Sequence, residues 1–576
     1  MTTTSLPAVS KGTSAPTRRL ILWSKRVTPT RVHWLSLIFA AVILVWINRS
    51  QWFSLDEWNF LVDRSLSPKG DDLGIFAGHN EHWSTITVLG YRILFKLFAV
   101  RTYAPYMAVM IIFHIAICHL LWRFLLKVGT QIWTATAAIA IFAVLGAGWE
   151  NLTQAFQWSL SAPLLFGIGA LILIHDNGRP RRNDVIAAGL LVLGIGTSGV
   201  GITVVIIVAI ALVLRRRFKA LFVVAGPAAF IYAVWYTAIG RTEASPEFVQ
   251  PITTAVQSIP AYVWRGLTEA ADLSTGLTGI GAAVIIGLAI FAVRRAHPFE
   301  EPWPLILAPA AGAIIFLALT ALKRSGLGIG TAGSSRYIYL VVALLLPLAT
   351  LTFDYITMGK KLRPFILVLL TLTLLLTQIS TLRSEAIKTA GQEQLDKRRL
   401  LATAELAKKN TSFLIAIPEP TYAPNVSADE LAVLLRNGDL PGNVSLSTQD
   451  FLDARLWTQV ALGDIALVNG PIPIITSTES VVLTADTDGC FVARPSSPSP
   501  KVTLHFDQPS SFSLQSPLGG SLFVTAQASG SRAIRPFVLN AGQQQFLSVG
   551  WSASRLTITL PFSSDSRLCG LTQPAQ

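Results

Sequence analysis

Residues 33–61 read HWLSLIFAAVILVWINRSQWFSLDEWNFL, and the change of character halfway along decides the fold. His33–Ile47 is an apolar run with no small-residue cleavage site, so it reads as an anchor helix and not a removed signal peptide. Lys11, Arg18, Arg19, Lys25, Arg26 and Arg31 precede it. A basic flank of this kind holds the N-terminus in the cytoplasm, and residues 1–32 read as a disordered cytoplasmic tail. Beyond Ile47 the chain turns polar. It carries Asp56-Glu57-Trp58 early and His79-Asn80-Glu81-His82-Trp83 later, before the next apolar run begins near 104. Ionisable groups at a membrane face are costly and mark a pathway or a site. Residues 49–103 are therefore expected to form a long outer loop that carries the chemistry.

Composition agrees with a membrane protein. Of 576 residues, 52% are hydrophobic and 14% charged, with a mean hydropathy of +0.53, whereas soluble domains carry roughly 25% charged residues. The net charge of +14 sits in short clusters between apolar runs. No basic stripe with interleaved aromatics suggests nucleic acid as a partner.

A spanning helix needs about 20 apolar residues. After His33–Ile47, spans are expected at approximately 104–126, 132–148, 157–175, 184–198, 199–214, 219–239, 275–293, 303–322, 337–357 and 364–382, about 11 in all. The loops expected inside hold Arg123 and Lys127; Arg179, Arg181 and Arg182; Arg215–Arg217 and Lys219; Arg294 and Arg295; and Lys360, Lys361 and Arg363. This alternation follows the positive-inside bias, and an odd number of spans sends residues 383–576 outside. Residues 81–100 and 247–268 are expected to be interfacial helices lying on the outer surface.

The transmembrane domain thus covers 33–382. An outer helical or mixed region at 383–463 follows, with an amphipathic helix at about 384–409, a strand at Phe413–Ile417, a helix opened by the Ser427/Glu430 capping box and another at 449–461. From 464 to 576, short alternating runs such as Val502–Phe506 and Leu556–Leu560, separated by Gly, Ser and Pro, read as an all-β sandwich. Cys118 falls in an apolar helix. Cys490 and Cys569 both fall in the outer part, where a disulfide between them is expected.

Four clusters are candidates for chemistry. Asp56 and Glu57 are the first; Ser54 and Glu57 also have capping-box spacing, which accounts for Glu57 and leaves Asp56. The second is His79, Glu81, His82 and Trp83. With Asp56 and Glu57, the side chains of His79, Glu81 and His82 are able to hold a divalent metal, but their spacing fits no standard zinc pattern, and acceptor binding is the competing role. The third is Trp149, Glu150 and Asn151 with Gln154, Gln157 and Trp158, which suits sugar rings and equally an interfacial aromatic belt. The fourth is cationic: Lys323, Arg324, Arg336 and Tyr337, with Arg241 and Arg92 as weaker members. Outward cations invite a lipid phosphate or snorkel toward head groups. His114, Cys118 and His119 read as packing within a span, with His114 hydrogen-bonded to a neighbouring helix.

The order and sidedness of these features resemble the GT-C class of polytopic glycosyltransferases. The resemblance rests on the acidic pair Asp56-Glu57 after the first span, the His-containing end of the outer loop leading through Arg101–Tyr106 into span two, and Arg336-Tyr337 opening a late span. In place of the commoner His-Pro-Pro form, this chain has His79-Asn80-Glu81-His82. The resemblance implies a bacterial inner-membrane enzyme that moves a sugar from a polyprenyl-phosphate donor to a glycan, lipid or protein acceptor. It implies membrane lipids as surroundings and no obligatory cofactor. The C-terminal β domain resembles the carbohydrate-binding domains of actinobacterial arabinosyltransferases in this class. In such a reaction Asp56 serves as general base and Arg336, Lys323 or Arg324 stabilises the departing phosphate. The competing classes are a lipid or glycan transporter, which usually shows repeated halves and polar breaks at the midplane, and a non-catalytic envelope assembly protein.

Overall fold

The computed structural model describes residues 28–62, 64, 74–79, 82–174, 181–242, 251–409, 414–415, 417–486 and 489–573. The N-terminal tail up to Val27, Asn80 and Glu81 lie outside these residues; the first helix begins at Pro29, inside the expected tail. Leu414, Ile415 and Ile417, the described residues of the strand expected at Phe413–Ile417, are not in a strand. The chain divides into two compact units. The first comprises Met1–Arg49, Ala77–Thr87 and Met107–Ala386, the second Ser50–Phe76, Val88–Tyr106 and Ile387–Gln576.

The first unit is helical. Each of the 11 segments expected to span contains a helix, but among the described residues only six helices are long and apolar enough to cross a membrane. They are Pro29–Ser50, Ala104–Lys127, Ala155–Leu173, Trp303–Leu327, Ser335–Thr357 and Arg363–Lys408. The pair Phe218–Val224 and Gly226–Ala238, bent by 45°, is long and apolar enough only when the two are taken together, as a broken span or a re-entrant loop. The bend falls at Gly226-Pro227, where proline lacks the N–H that an unbroken helix uses. The shortfall from 11 is one of length. Ile132–Phe142, Arg182–Ile195, Val200–Leu214 and Gly281–Arg295 have 11 to 15 residues, roughly 16–23 Å of helix against a hydrocarbon core of about 30 Å. The two expected interfacial helices run Thr85–Phe98 and Ile252–Thr275.

Helices approach closely where side chains are small, as membrane packing requires. A Cβ on Gly167 would meet Val204 Cγ1 at 2.2 Å, and one on Gly312 would meet Ile207 Cδ1 at 2.3 Å, so enlarging either glycine forces the facing side chain of Val200–Leu214, or the helix itself, to shift. Several of the basic clusters are built into helix ends. Arg217 pairs with buried Asp184 at 3.0 Å, Arg215 with Glu301 at 2.5 Å, and Arg363 with Asp354 at 2.6 Å. Lys127 Nζ donates to the terminal carbonyls of Leu171, Ile172 and Ile174. His114 bridges Tyr339 OH at 2.9 Å and the Ala143 carbonyl at 3.0 Å, the interhelical role expected of it.

The separate outer helix expected at about 384–409 is instead the continuation of the last span. Arg363–Lys408 is one helix of 46 residues. Between the apolar part and the charged part lies no proline, and the run Arg383–Lys408 is rich in Glu, Gln, Leu, Lys and Arg, all good helix formers. The single Gly391 does not interrupt it.

In the second unit, both later helices open with reciprocal capping boxes, Ser427/Glu430 and Ser447/Asp450. The C-terminal region is all-β, in two antiparallel sheets. One has the strand order Ser531–Leu539, Gly520–Ala528, Ala553–Thr559, Lys501–Phe506, Ile474–Glu479; the other Val460–Gly463, Gln544–Val549, Ser510–Gln515, Ser566–Cys569, Cys490–Pro495, Val481–Ala485. Val502, Leu504, Phe506, Val524, Leu556 and Ile558 of the first face Phe512, Leu514, Leu547 and Leu568 of the second in one core. Arg535 closes the C-terminal end of Thr448–Thr458 and the turn after it, donating to the carbonyls of Leu456, Trp457 and Val460.

Cys490 and Cys569 are directly opposed cross-strand partners and form a disulfide. The bond closes a loop over a sequence separation of 79 residues. Cys490→Ser is expected to cost the β region about 2–4 kcal/mol, read as a lowered melting temperature for that region. An unchanged melt under non-reducing conditions would remove the disulfide from the account.

Candidate functional site

In the second unit the acidic pair sits in a tightly determined turn. Trp52, Phe53 and Ser54 are buried, and Asp56–Leu61 forms a short helix. The residue before it, Leu55, has φ of 53°, a region that side chains with a Cβ seldom occupy and that functional sites often retain. The Leu55 N–H donates to the Tyr422 carbonyl at 2.5 Å. Only half of the expected capping box is made. Glu57 Oε2 accepts from Ser54 N at 3.1 Å, but the Ser54 hydroxyl turns to Glu393 Oε1 at 3.5 Å, because the strained Leu55 takes the cap position.

Glu57 is 1% exposed. Tyr91 OH donates to its Oε1 at 2.8 Å, and Tyr103 OH lies 3.0 Å from both oxygens. Burial, and after it the charge of Glu57, raises the Tyr91 hydroxyl well above the usual tyrosine range, which keeps it protonated and donating. Around this centre Phe53 packs edge-on to Tyr103 and Tyr106. A second buried carboxylate, Glu393, accepts from Trp52 N at 2.7 Å. Of the two acids, Glu57 is thus an internal clamp, whereas Asp56 is half-buried at the first position of the helix. Arg92 belongs to the same neighbourhood, where its guanidinium donates to the Arg64 carbonyl, from Nε at 2.7 Å.

The other candidates lie in the first unit. His79 and His82 face each other across a two-stranded ribbon. His82 packs against Gly199, where a Cβ would meet its Nδ1 at 2.4 Å. Trp83 stacks on Trp235 at 5.7 Å, and His79 meets Phe156 edge-on at 6.1 Å. Phe156 belongs to the segment 149–158, so the His-containing ribbon and the third cluster are neighbours. That segment in turn holds the start of the Ser335–Thr357 helix. Glu150 Oε2 accepts from Ser335 Oγ at 2.8 Å and from Arg336 N at 3.0 Å, a carboxylate at a helix N-terminus, where the dipole favours it. Asn151 is buried, and neither of its amide atoms is hydrogen-bonded among the described residues; buried polar groups rarely stay so. Gln154 accepts from Gln157 Nε2 at 3.3 Å.

The cations Lys323 and Arg324 end the Trp303–Arg324 helix. The Arg336 guanidinium lies over the Tyr337 ring, 5.4 Å from its centre, and Arg241 is exposed in a short turn at Gly240–Thr242. The helix Ile252–Thr275 brings residues that the sequence did not single out. Tyr262 OH lies 3.2 Å from Thr331 Oγ1, within the field of both Arg324 and Arg336. Glu269 pairs with Arg265 and lies against the Gly333 backbone. Arg265 and Glu269, four apart on an otherwise interfacial helix, were the available signal. Glu393 was detectable in the same way, as an acid on the stripe Leu382, Ala386, Ala390, Leu400. Among the described residues no group of three or more His, Cys, Asp or Glu could hold a metal ion.

No family model and no curated protein matches the chain. Solved structures similar to it include the following two. The oligosaccharyltransferase of Archaeoglobus fulgidus, tethered to an acceptor peptide, aligns with a TM-score of 0.42 and 12% identity over 65% of this chain and 57% of its own. The chain therefore spans little more than half of that protein. ArnT from Cupriavidus metallidurans, bound to undecaprenyl phosphate, aligns with a TM-score of 0.44 and 14% identity over 74% of this chain and 92% of its own.

Proposed function

We propose that the protein is an inverting, polyprenyl-phosphate-sugar-dependent glycosyltransferase of the GT-C class. It works at the outer face of a bacterial inner membrane on a glycan, lipid or protein acceptor. The observation that carries the reading is the Ser54–Leu61 turn. A strained Leu55 and a fully engaged Glu57 hold Asp56 at the first position of the Asp56–Leu61 helix, an investment in geometry that a plain loop does not need. In the reaction, the acceptor oxygen attacks the anomeric carbon while its proton passes to Asp56. The bond from that carbon to the phosphate oxygen breaks, and polyprenyl phosphate leaves with the electron pair. One displacement inverts the anomeric centre. The leaving phosphate needs charge stabilisation, for which Arg336, Lys323 and Arg324 are the candidates. Glu150 already serves the backbone of that helix end, so the phosphate falls to side chains. In this reading Asn151, Gln154 and His79 are the candidates for sugar or acceptor contacts, and the β sandwich is the candidate for holding glycan. The chemistry as written requires no metal.

The direct test is transfer by purified protein from a panel of radiolabelled polyprenyl-phosphate sugars. Product from one donor supports the reading; no transfer from any, with donor binding also absent, defeats it. Within this scheme Arg336→Ala is expected to weaken donor binding by about 1.5–3 kcal/mol, one charge-assisted bond. Unchanged donor affinity with lowered stability would make Arg336 structural.

A further inference from the structure

An open groove of about 620 Å³ runs between the Gly281–Arg295 and Ser335–Thr357 helices. Its length is apolar, lined by Val284, Leu288, Phe291, Phe353 and Ile356 among others, and its end is marked by Arg294 and Arg295. The Arg295 guanidinium lies over the Tyr355 ring, 4.4 Å from its centre, which holds that charge at the groove's mouth. Neither arginine forms an ion pair among the described residues. The acid closest in sequence to Tyr355, Asp354, is already taken by Arg363 at 2.6 Å and by Thr134 Oγ1 at 2.5 Å. Arg215 and Arg217, by contrast, both have carboxylate partners.

The groove's charged end is not the donor-phosphate end. Arg336 and Tyr355 stand 19 residues apart on one helix, about 28 Å at 1.5 Å per residue. That is about the thickness of the hydrocarbon core, so the two cationic positions serve opposite leaflets. We propose that this groove binds an anionic phospholipid, its acyl chain along the apolar lining and its phosphate on Arg294 and Arg295. Charge complementarity selects the head group, since basic positions beside spanning helices attract anionic lipids. The apolar length open toward the bilayer selects a chain-bearing molecule over a free anion.

The test uses full-length protein in phosphatidylcholine nanodiscs, titrated with phosphatidylglycerol and read by native mass spectrometry. Two variants separate charge from shape. Arg294→Gln with Arg295→Gln removes the charge and keeps the groove. Gly287→Leu fills the groove and keeps the charge; a Cβ at Gly287 has nothing within 4 Å, so the helix packing tolerates it. Wild-type protein is expected to retain phosphatidylglycerol over phosphatidylcholine; the Arg294→Gln, Arg295→Gln variant should lose about 10- to 30-fold in that affinity, the attraction of two arginines, and Gly287→Leu should lose it by excluding the acyl chain. Melting temperatures in pure phosphatidylcholine should stay at the wild-type value. Equal retention of both lipids by the wild type overturns the proposal. So does loss of affinity in only one variant, or in neither.

Discussion

Asp56→Asn is expected to slow sugar transfer by about 10²–10⁴-fold, the usual cost of removing a general base, and to leave donor affinity where it was. Asparagine keeps the size of the side chain and most of its hydrogen bonding but cannot take the acceptor's proton. Asp56 is half-buried at the start of the Asp56–Leu61 helix, and asparagine keeps a side-chain acceptor there, so the fold should survive. The measurement is single-turnover transfer beside equilibrium donor binding. Near-normal transfer by Asp56→Asn would remove the general base from this position, and with it the main support for the glycosyltransferase reading.

Glu57→Ala is expected to act on stability first. It strips the acceptor from Ser54 N, Tyr91 OH and Tyr103 OH together, in a place where Glu57 is 1% exposed. A buried donor left unsatisfied costs about 1–3 kcal/mol, so the total should reach about 3 kcal/mol or more. The loss should appear as a lowered melting temperature and as faster hydrogen exchange across residues 51–62. Glu57→Gln should be milder, because the amide oxygen still accepts from Ser54 N, as Gln does in capping boxes. Should Glu57→Gln abolish transfer at unchanged stability while Asp56→Asn stays active, the roles of the two acids are reversed.

The amino-acid sequence by itself determined the class of the fold. Long apolar runs exclude water whatever their neighbours are, so the helices of the first unit were legible one by one. Alternation of period two with Gly and Pro punctuation made the β sandwich legible, and two cysteines in one polar region pointed to the disulfide. Local chemistry also placed the Ser427/Glu430 box, because its partners are three residues apart.

Contacts between residues distant in sequence were decided only by the tertiary structure. Spacing suggested that Ser54 and Glu57 cap each other, but Glu393, 339 residues away from Ser54, takes the hydroxyl. Glu57 was then claimed by tyrosines 34 and 46 residues on. Glu150, grouped with Trp149 and Asn151 in a cluster that suits sugar rings or an interfacial belt, also caps a helix that begins at Ser335. The outer helix merged with the last span because helix propensity is continuous across Arg383, while the sequence pattern there records only a change of polarity. A side chain's local pattern states which bonds it is able to make. Which of them it does make depends on what folding brings within 3 Å, and burial then fixes the choice, since each polar group taken from water has to find a partner.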